Sequence, residues 1–177
     1  MMKNMINRLT VLSLLLLGGL GFVSCSDDDG DFIDLPIIEM PQSEEGPVFI
    51  DYKEILNTGK YVYDYTIQLD KPATTNLFCD ITVDESMVEA YNTEHNTAYK
   101  MMPSFVYELQ AKTAIIKKGE QESNSLSIEF ASLYGLAEGE EYLLPVVAVV
   151  DETCTGQFTT DTRSVAYFTI IIKTYIK

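Results

Sequence analysis

Alternation of apolar and polar residues along short segments is the feature that most limits how this chain can fold. In residues 61–69 every second side chain is large and apolar, and the side chains between them are polar or smaller. The same period of two runs through residues 77–83 and 126–130. Successive side chains of a β-strand point to opposite faces, so this period predicts strands that bury one face.

Three further segments are rich in β-forming residues. Residues 114–117 predict a strand that ends before Gly119, and residues 142–150 and 165–175 predict two longer strands. The stretch between the last two is polar and contains glycine, which favours a turn. The two longer strands are therefore predicted to form a hairpin.

One short helix is predicted in the whole chain. Asp84, Glu85 and Ser86 supply an N-cap and favourable charge for a helix that ends at about Glu94. Six or seven strands, with turns about every ten residues, predict a mainly β chain. The predicted fold is an immunoglobulin-like antiparallel β-sandwich with one short helix.

The N-terminus has the pattern of a secretory signal. Lys3 and Arg8 precede an apolar run over residues 9–23, which ends at Ser24 and Cys25. This run is shorter than the roughly 20 residues that a spanning helix needs. Residues 1–24 are therefore predicted to be a lipoprotein signal peptide, rather than a permanent transmembrane anchor.

Cys25 is the predicted lipidation site. The segment Phe22-Val23-Ser24-Cys25 resembles a bacterial lipobox, in which the Cys thiol is lipidated and the Cys becomes the first residue of the mature chain. Phe22 departs from the Leu that is usual there. An ordinary secretory cleavage site beside an unmodified Cys is the alternative. The lipid makes the membrane an expected partner.

An acidic stretch follows Cys25. Residues 26–31 contain four Asp, which resembles the export tag that carries Bacteroidota lipoproteins to the outer face of the outer membrane. A solvated tether is the other interpretation, and both can hold. A calcium loop is excluded, because Phe32 and Ile38 stand where it needs Gly and Glu. We predict a flexible tether over residues 25–46 and the sandwich domain over 47–177, lipid-anchored and facing the cell exterior.

The charge balance excludes two classes of partner. The chain has 27 acidic and 12 basic residues, a net charge of −15. Removal of residues 1–24 takes away Lys3 and Arg8 but no acid, so the mature chain carries −17. Binding of nucleic acid or of anionic lipid needs clustered Lys and Arg, so neither is expected.

Short motifs spread over residues 47–173 share one family pattern. They are Val83-Asp84-Glu85-Ser86, Tyr91-Asn92, Tyr99, Met102-Pro103, Tyr107-Glu108-Leu109, Ile116 with Gly119, and Tyr142-Leu143-Leu144-Pro145. Together they resemble the domain of unknown function 1735, found at the N-terminus of many Bacteroidota surface lipoproteins. Met102 replaces the usual Leu at similar volume. The resemblance implies an immunoglobulin-like sandwich, often followed by a carbohydrate-active or carbohydrate-binding module, and it supplies no catalytic residues.

The motif residues themselves are interpreted as structural. Tyr91 is expected to pack the helix on the sandwich, and Asn92 to cap the end of that helix. Pro145 lies inside an apolar strand, where a missing amide hydrogen predicts an edge strand or a bulge.

No constellation for catalysis or metal binding stands out. His95 is the single histidine, and it lacks the companions that a nucleophile or a zinc ion needs. The adjacent acids Glu44-Glu45 and Glu140-Glu141 would point to opposite sides of an extended chain rather than form a dyad. No enzyme activity, metal or cofactor is therefore predicted, and a small hydrolase is the lowest-ranked reading.

Two cysteines remain after Cys25. Cys79 lies on a predicted core face, and Cys154 lies in a predicted turn. A disulfide between them stays open, although these positions argue against it.

Exposed aromatic rings are the residues that would grip the face of a sugar. Tyr52, Tyr99, Tyr134 and Phe158 are the candidates, each with a core interpretation at least as good, and the chain has no Trp. We expect a non-catalytic accessory or glycan-binding component of a polysaccharide-acquisition system. The alternative is a structural or docking module whose strand edges bind an outer-membrane protein.

Overall fold

The structure is a computed structural model that describes residues 36–40, 46–151 and 163–173. All of them belong to one compact unit, Asp34–Lys177. The helices are α1 (Tyr52–Thr58) and α2 (Ser86–His95). The strands are β1 (Ile38–Glu39), β2 (Val48–Phe49), β3 (Tyr61–Tyr65), β4 (Gln68–Leu69), β5 (Leu77–Val83), β6 (Lys100–Met101), β7 (Tyr107–Leu109), β8 (Thr113–Ile116), β9 (Leu126–Phe130), β10 (Glu141–Val150) and β11 (Arg163–Ile171).

Two sheets face each other. The larger sheet has the order β2-β11-β10-β5-β8, with β6 added beside β10, and the smaller sheet has the order β3-β9-β7. β1 pairs with β4, which follows β3 closely along the chain. All pairings are antiparallel except β2 with β11 and β6 with β10. The mainly β sandwich predicted from the sequence is confirmed.

Aromatic rings join the two sheets. Phe168 of β11 is fully buried and lies edge-on to Tyr63 of β3, with ring centroids 5.2 Å apart. Tyr65 lies 6.4 Å from the same ring. Tyr65, Ile67 and Leu69 are buried, as the alternation over residues 61–69 predicts. The period of two in this part of the sequence therefore marks strands that bury one face in the core.

Strand β10 differs because both of its faces are covered. Leu144 belongs to the main core between the sheets, whereas Leu143 packs against Val88 and Tyr91 of α2 on the opposite face. A strand buried on both sides needs a continuous apolar run rather than alternation. The predicted hairpin is confirmed, since β10 pairs with β11 from Glu141↔Ile171 to Val149↔Arg163. The residues between the two strands lie outside the described part.

Pro145 is in a central strand, so the predicted edge or bulge is wrong. On the side away from β11, β10 pairs with β6 as far as Leu143 and with β5 from Val146 onwards. Pro145 lies where the neighbouring strand changes. Its carbonyl accepts a hydrogen bond from the Asp84 amide at 3.3 Å. The missing amide hydrogen is tolerated because no continuous ladder passes this point.

Helix α2 confirms the predicted helix, and Asn92 fastens the chain after it. The Asn92 side chain donates to the Tyr99 carbonyl at 2.8 Å and accepts from the Tyr99 amide and the Thr97 hydroxyl, both at 2.9 Å. These bonds fold the segment after the helix back toward β6. Tyr91 is buried and packs α2 on the large sheet, as predicted.

Helix α1 was not predicted. Its only buried residues are Tyr52 and Ile55, too few for a clear helical period. Its ends do carry local signals. Asp51 accepts a hydrogen bond from the Lys53 amide, and Gly59 has a left-handed φ of 86°.

The core begins before residue 47, where the sequence predicts the start of the sandwich. Ile38 and Met40 are buried in the main core, and Ile38 pairs with Leu69. The predicted signal peptide, Cys25, and residues 26–35 and 41–45 of the predicted tether lie outside the described residues. None of the described helices combines the length and apolar character needed to cross a membrane.

Cys79 lies on the core face that the alternation predicts. Its exposed fraction is 0%. Cys154 lies outside the described residues, so the pairing of these two cysteines stays open.

Tyr65 offers a test of the core. Its hydroxyl is buried and has no hydrogen-bond partner among the described residues. We expect Tyr65→Phe to raise the free energy of unfolding by about 1 kcal/mol, because it removes a polar group that lost its water on folding. Urea unfolding measures the change. The matched control is Tyr134→Phe at an exposed ring, which should leave stability unchanged.

The same pair of variants should differ with pH. Burial raises the pKa of Tyr65 from 10.0 to about 12. Above pH 10 the unfolded chain ionises this hydroxyl first, so its contribution to stability is lost as pH rises toward 12. The advantage of Tyr65→Phe should therefore grow between about pH 9 and about pH 11. An advantage independent of pH, or one shared by Tyr134→Phe, would contradict this.

Candidate functional site

The two most exposed aromatic rings of the described residues lie on neighbouring connections at one end of the sandwich. The exposed fraction is 85% for Tyr134 and 57% for Phe105. A β-carbon built on Gly135 would lie 3.1 Å from Cζ of Phe105, so the Phe105 ring rests against the backbone next to Tyr134. Leu133 and Leu136 flank the pair and are half-buried against the core. We call these five residues the aromatic tip.

Phe105 is held by the short connection between β6 and β7. The next residue, Val106, is buried, and its amide donates to the Pro103 carbonyl at 3.0 Å. The Val106 carbonyl accepts from the Ala131 amide at 3.2 Å, which ties this connection to the one that carries Tyr134. Burial of Val106 therefore leaves the preceding ring in solvent.

Tyr134 is held by a tight turn after β9. The Leu136 amide donates to the Leu133 carbonyl at 3.2 Å, and the Tyr134 amide donates to the Ser132 hydroxyl at 3.2 Å. Gly135 has a φ of 81°, a conformation in which a side chain is strained. The two leucines point inward, so the tyrosine between them faces out.

The long hairpin supports the turn from behind. The Ala137 amide donates to the Tyr142 hydroxyl at 3.0 Å, and the Gly139 amide donates to the Ile172 carbonyl at 2.8 Å. Tyr142 is buried at the start of β10. The aromatic tip is thus a surface of loops fixed to strands, a common arrangement for binding sites.

The aromatic tip lies at the opposite end of the smaller sheet from Ile37. Phe130, just before the tip, pairs with Tyr61, and the same antiparallel ladder continues to Leu69, whose amide donates to Gln121 at 2.8 Å. Ile37 and the neighbouring Asp70 are hydrogen-bonded there. The chain from Tyr61 to Leu69 advances by eight residues, which span about 26 Å when extended, so the two ends of the smaller sheet are well separated. We call this end, with Ile37 and Asp70, the far end.

The candidate residues chosen from the sequence differ in their exposure. Tyr134 is exposed and belongs to the aromatic tip. Tyr52 is only 4% exposed, and its hydroxyl donates to the Lys173 carbonyl at 3.4 Å, so its ring is part of the core rather than a sugar platform. Tyr99 is half-buried, 5.9 Å from the Tyr91 ring. Phe158 lies outside the described residues.

Phe105 was missed by the sequence reasoning. It is a single aromatic residue between Ser104 and the buried Val106, in a segment without period. Met102-Pro103 marks a turn just before it, and that turn is the one signal that could have drawn attention to an exposed ring.

His95 has a structural contact. Its ring lies 4.2 Å from the Tyr91 ring at the end of α2. Glu140 forms an ion pair with Lys100 at 2.8 Å. Within the described ranges, no group of three or more His, Cys, Asp or Glu residues is placed to hold a metal ion.

A shallow polar depression is present at the far end. It has a volume of about 450 Å³ and is lined by Gln68, Glu120, Gln121, Glu122 and Ser123. Its side chains already hold the chain together: Glu122 accepts from the Thr66 hydroxyl at 2.8 Å, and the Gln121 amide group donates to the Leu69 carbonyl at 3.2 Å. The aromatic tip, with its two exposed rings, is the stronger candidate.

Comparison with known proteins assigns this chain to a family. A family model described as "-like, N-terminal domain" matches residues 33–153, more than half of the chain. No curated protein matches the sequence.

Three solved structures from Bacteroides ovatus share the fold. A "putative carbohydrate binding protein" is 22% identical, with a TM-score of 0.56 over 65% of this chain and 32% of its own. A "multidomain protein including DUF1735" is 19% identical, with a TM-score of 0.53 over 75% of this chain and 44% of its own. A protein of unknown function is 20% identical, with a TM-score of 0.56 over 76% and 45%. The chain spans less than half the length of each relative, and the likeness shows the fold.

The two left-handed glycines near the aromatic tip allow a controlled test of its geometry. Gly135 and Gly139 have φ values of 81° and 78°, so Ala should cost about 1 kcal/mol of backbone strain at either position. Only at Gly135 does the added methyl meet the Phe105 ring. We expect Gly135→Ala to move the ring resonances of Phe105 in NMR spectra, and Gly139→Ala to leave them in place. Equal shifts in both variants would contradict the packing described.

Proposed function

Because the chain belongs to the family described as "-like, N-terminal domain" and is a domain of the DUF1735 type, we propose that it is a non-catalytic, glycan-binding component of a polysaccharide-acquisition system. In this proposal it is a lipoprotein, anchored through Cys25 in the outer membrane and facing the cell exterior. The aromatic tip is its binding site.

The exposure of Tyr134 and Phe105 is the observation that carries the proposal. Pyranose rings present faces of C–H groups, which pack on aromatic rings, while their hydroxyls stay in water or meet polar groups. Exposed apolar side chains grouped on neighbouring connections are typical of ligand-binding surfaces. The turn at Gly135 and the buried Val106 fix the backbone that carries both rings, which lowers the entropy lost on binding.

The position of the aromatic tip on the domain is compatible with anchoring of the chain through Cys25. The described chain begins at Pro36, beside the far end, and 10 residues lie between it and Cys25. Fully extended, these residues reach at most about 40 Å. A domain tethered from its far end would present the tip away from the membrane.

The chemistry of the aromatic tip supports a role in binding rather than catalysis. Its side chains are two aromatic rings and two leucines, none of which donates or accepts protons in hydrolysis except the phenol of Tyr134. The name of one structural relative, a "putative carbohydrate binding protein", points the same way.

A docking role is the second candidate function, and two observations favour it. β3 ends the strand order of the smaller sheet, so it offers an edge to an extended segment of another protein. The turn that follows the aromatic tip is also hydrogen-bonded to Ile172 through Gly139 and Glu140, and the solved relatives of this fold are longer than this chain. An outer-membrane protein that co-purifies with this chain and is lost in Tyr134→Ala would favour this role.

Affinity electrophoresis of the purified protein in gels containing single polysaccharides tests the glycan proposal. We expect one or more polysaccharides to retard the protein. Tyr134→Ala and Phe105→Ala should each weaken binding by about tenfold or more, equivalent to about 1.4 kcal/mol, because each removes a stacking ring.

Phe78→Ala is the matched control, since Phe78 is 39% exposed on β5 of the other sheet. It should bind like the parent protein. No retardation by any polysaccharide, or equal losses in all three variants, would contradict a binding site at the aromatic tip.

Lipid anchoring is tested separately through Cys25. We expect Cys25→Ala to abolish incorporation of labelled palmitate and to move the protein from the detergent phase to the aqueous phase, because the acceptor thiol is absent. Cys154→Ala is the control and should remain lipidated. A Cys25→Ala protein that still takes up palmitate would rule out the anchor.

A further inference from the structure

The charge around the aromatic tip limits what kind of glycan it can accept. The segments that form it, residues 102–111 and 130–141, contain Glu108, Glu138, Glu140 and Glu141 but no Lys, Arg or His. Glu108, Glu138 and Glu141 are exposed to solvent. A ligand that stacks on Phe105 and Tyr134 would therefore approach segments whose only charged side chains are acidic.

The cations nearest the aromatic tip are mostly neutralised. Lys100 pairs with Glu140 at 2.8 Å, and Lys60, next to the start of β3, pairs with Glu129 at 2.9 Å. Lys173 follows Ile172, which is hydrogen-bonded to residues 139 and 140, and brings one positive charge to this end. One lysine does not make the cluster of positive charge that a polyanion needs.

Three further lysines lie at the far end, among the acids Asp70, Glu120 and Glu122. Lys117 and Lys118 lie beside the turn at Gly119, whose amide donates to the Ala73 carbonyl, and Lys71 lies two residues before Ala73. The segments of the aromatic tip therefore carry only acidic charge beside the exposed rings, whereas the lysines of the far end lie among acids and away from Tyr134 and Phe105. The charge that could attract a polyanion is separated from the surface that could stack on a sugar.

We propose that the aromatic tip binds neutral polysaccharides and excludes those that carry uronic acid or sulfate groups. This inference rests on the proposed glycan-binding function and names the class of its ligand. The rings supply the attraction through contact with sugar faces, which does not depend on salt. The acidic surroundings supply the discrimination, because repulsion of a polyanion acts within a Debye length of about 8 Å at physiological salt.

The test uses affinity electrophoresis of the full protein against two sets of polysaccharides. The neutral set is amylopectin, hydroxyethyl cellulose and galactomannan, and the anionic set is polygalacturonate, alginate and chondroitin sulfate. Retardation counts as binding at the tip only when Tyr134→Ala weakens it by about tenfold or more, which removes any contribution from the lysines of the far end. We expect tip-dependent binding in the neutral set alone, unchanged in about 0.5 M salt.

Reversal of the local charge tests the cause. The double variant Glu138→Lys with Glu141→Lys should keep neutral binding within about twofold and gain tip-dependent binding of at least one anionic polysaccharide at low salt. Glu89→Lys with Glu94→Lys makes the same charge change at exposed positions of α2 and should gain none. A gain in the control, or none in the tip variant, would overturn the electrostatic explanation.

The outcomes separate the two proposals. Tip-dependent binding of an anionic polysaccharide by the parent protein would overturn the exclusion and leave the glycan-binding function standing. Absence of tip-dependent binding in both sets would overturn the glycan-binding function itself.

Discussion

Burial of β10 on both faces is the constraint on which the rest of the fold depends. One face, with Leu144 and Val146, joins the core between the sheets, and the other face, with Leu143, is covered by α2. The strand also has neighbours on both edges, because β11 pairs along its length and β5 and β6 share the opposite edge. Its ten residues therefore fix where the hairpin, the helix and the smaller sheet meet.

The position of the aromatic tip follows from this arrangement of the strands. Tyr142, near the start of β10, fastens the turn after Tyr134 through its hydroxyl, and Ile172, just after β11, fastens Gly139. The turn cannot fold its tyrosine inward, because Leu133 and Leu136 already occupy the adjacent core. Stability and binding are thus divided between different residues of one short segment. A surface of this kind can change its ligand without changing the sandwich.

Much of the scaffold was predictable from the sequence because one-sided burial leaves a period of two. Residues 61–69 and 126–130 show this period and form strands with one face in the core. The wrong prediction for Pro145 has a physical reason, since whether a proline is tolerated depends on which strands flank it, and the local sequence does not contain that order. Helix α1 was missed because only two of its residues are buried, and its caps were the weaker signal.

The candidate site was predictable only in part. Tyr134 was identified from the sequence as a large ring that could face solvent, whereas Tyr52, also a candidate, is buried because α1 turns it toward Lys173. Phe105 joins the site through the contact with Gly135, which brings together two connections that are separated by about 30 residues of chain. Contacts between residues so far apart in the sequence leave no local pattern, so Phe105 could not be identified as a site residue without the fold.

An NMR titration of the labelled protein with fragments of a polysaccharide that it binds tests the central claim most directly. The account predicts chemical-shift changes concentrated at Phe105, Leu133, Tyr134 and Gly135, with the rings of Phe78 and Phe49 unaffected. Changes centred on the outer face of the larger sheet around Phe78, or on the polar depression around Gln121, would contradict it.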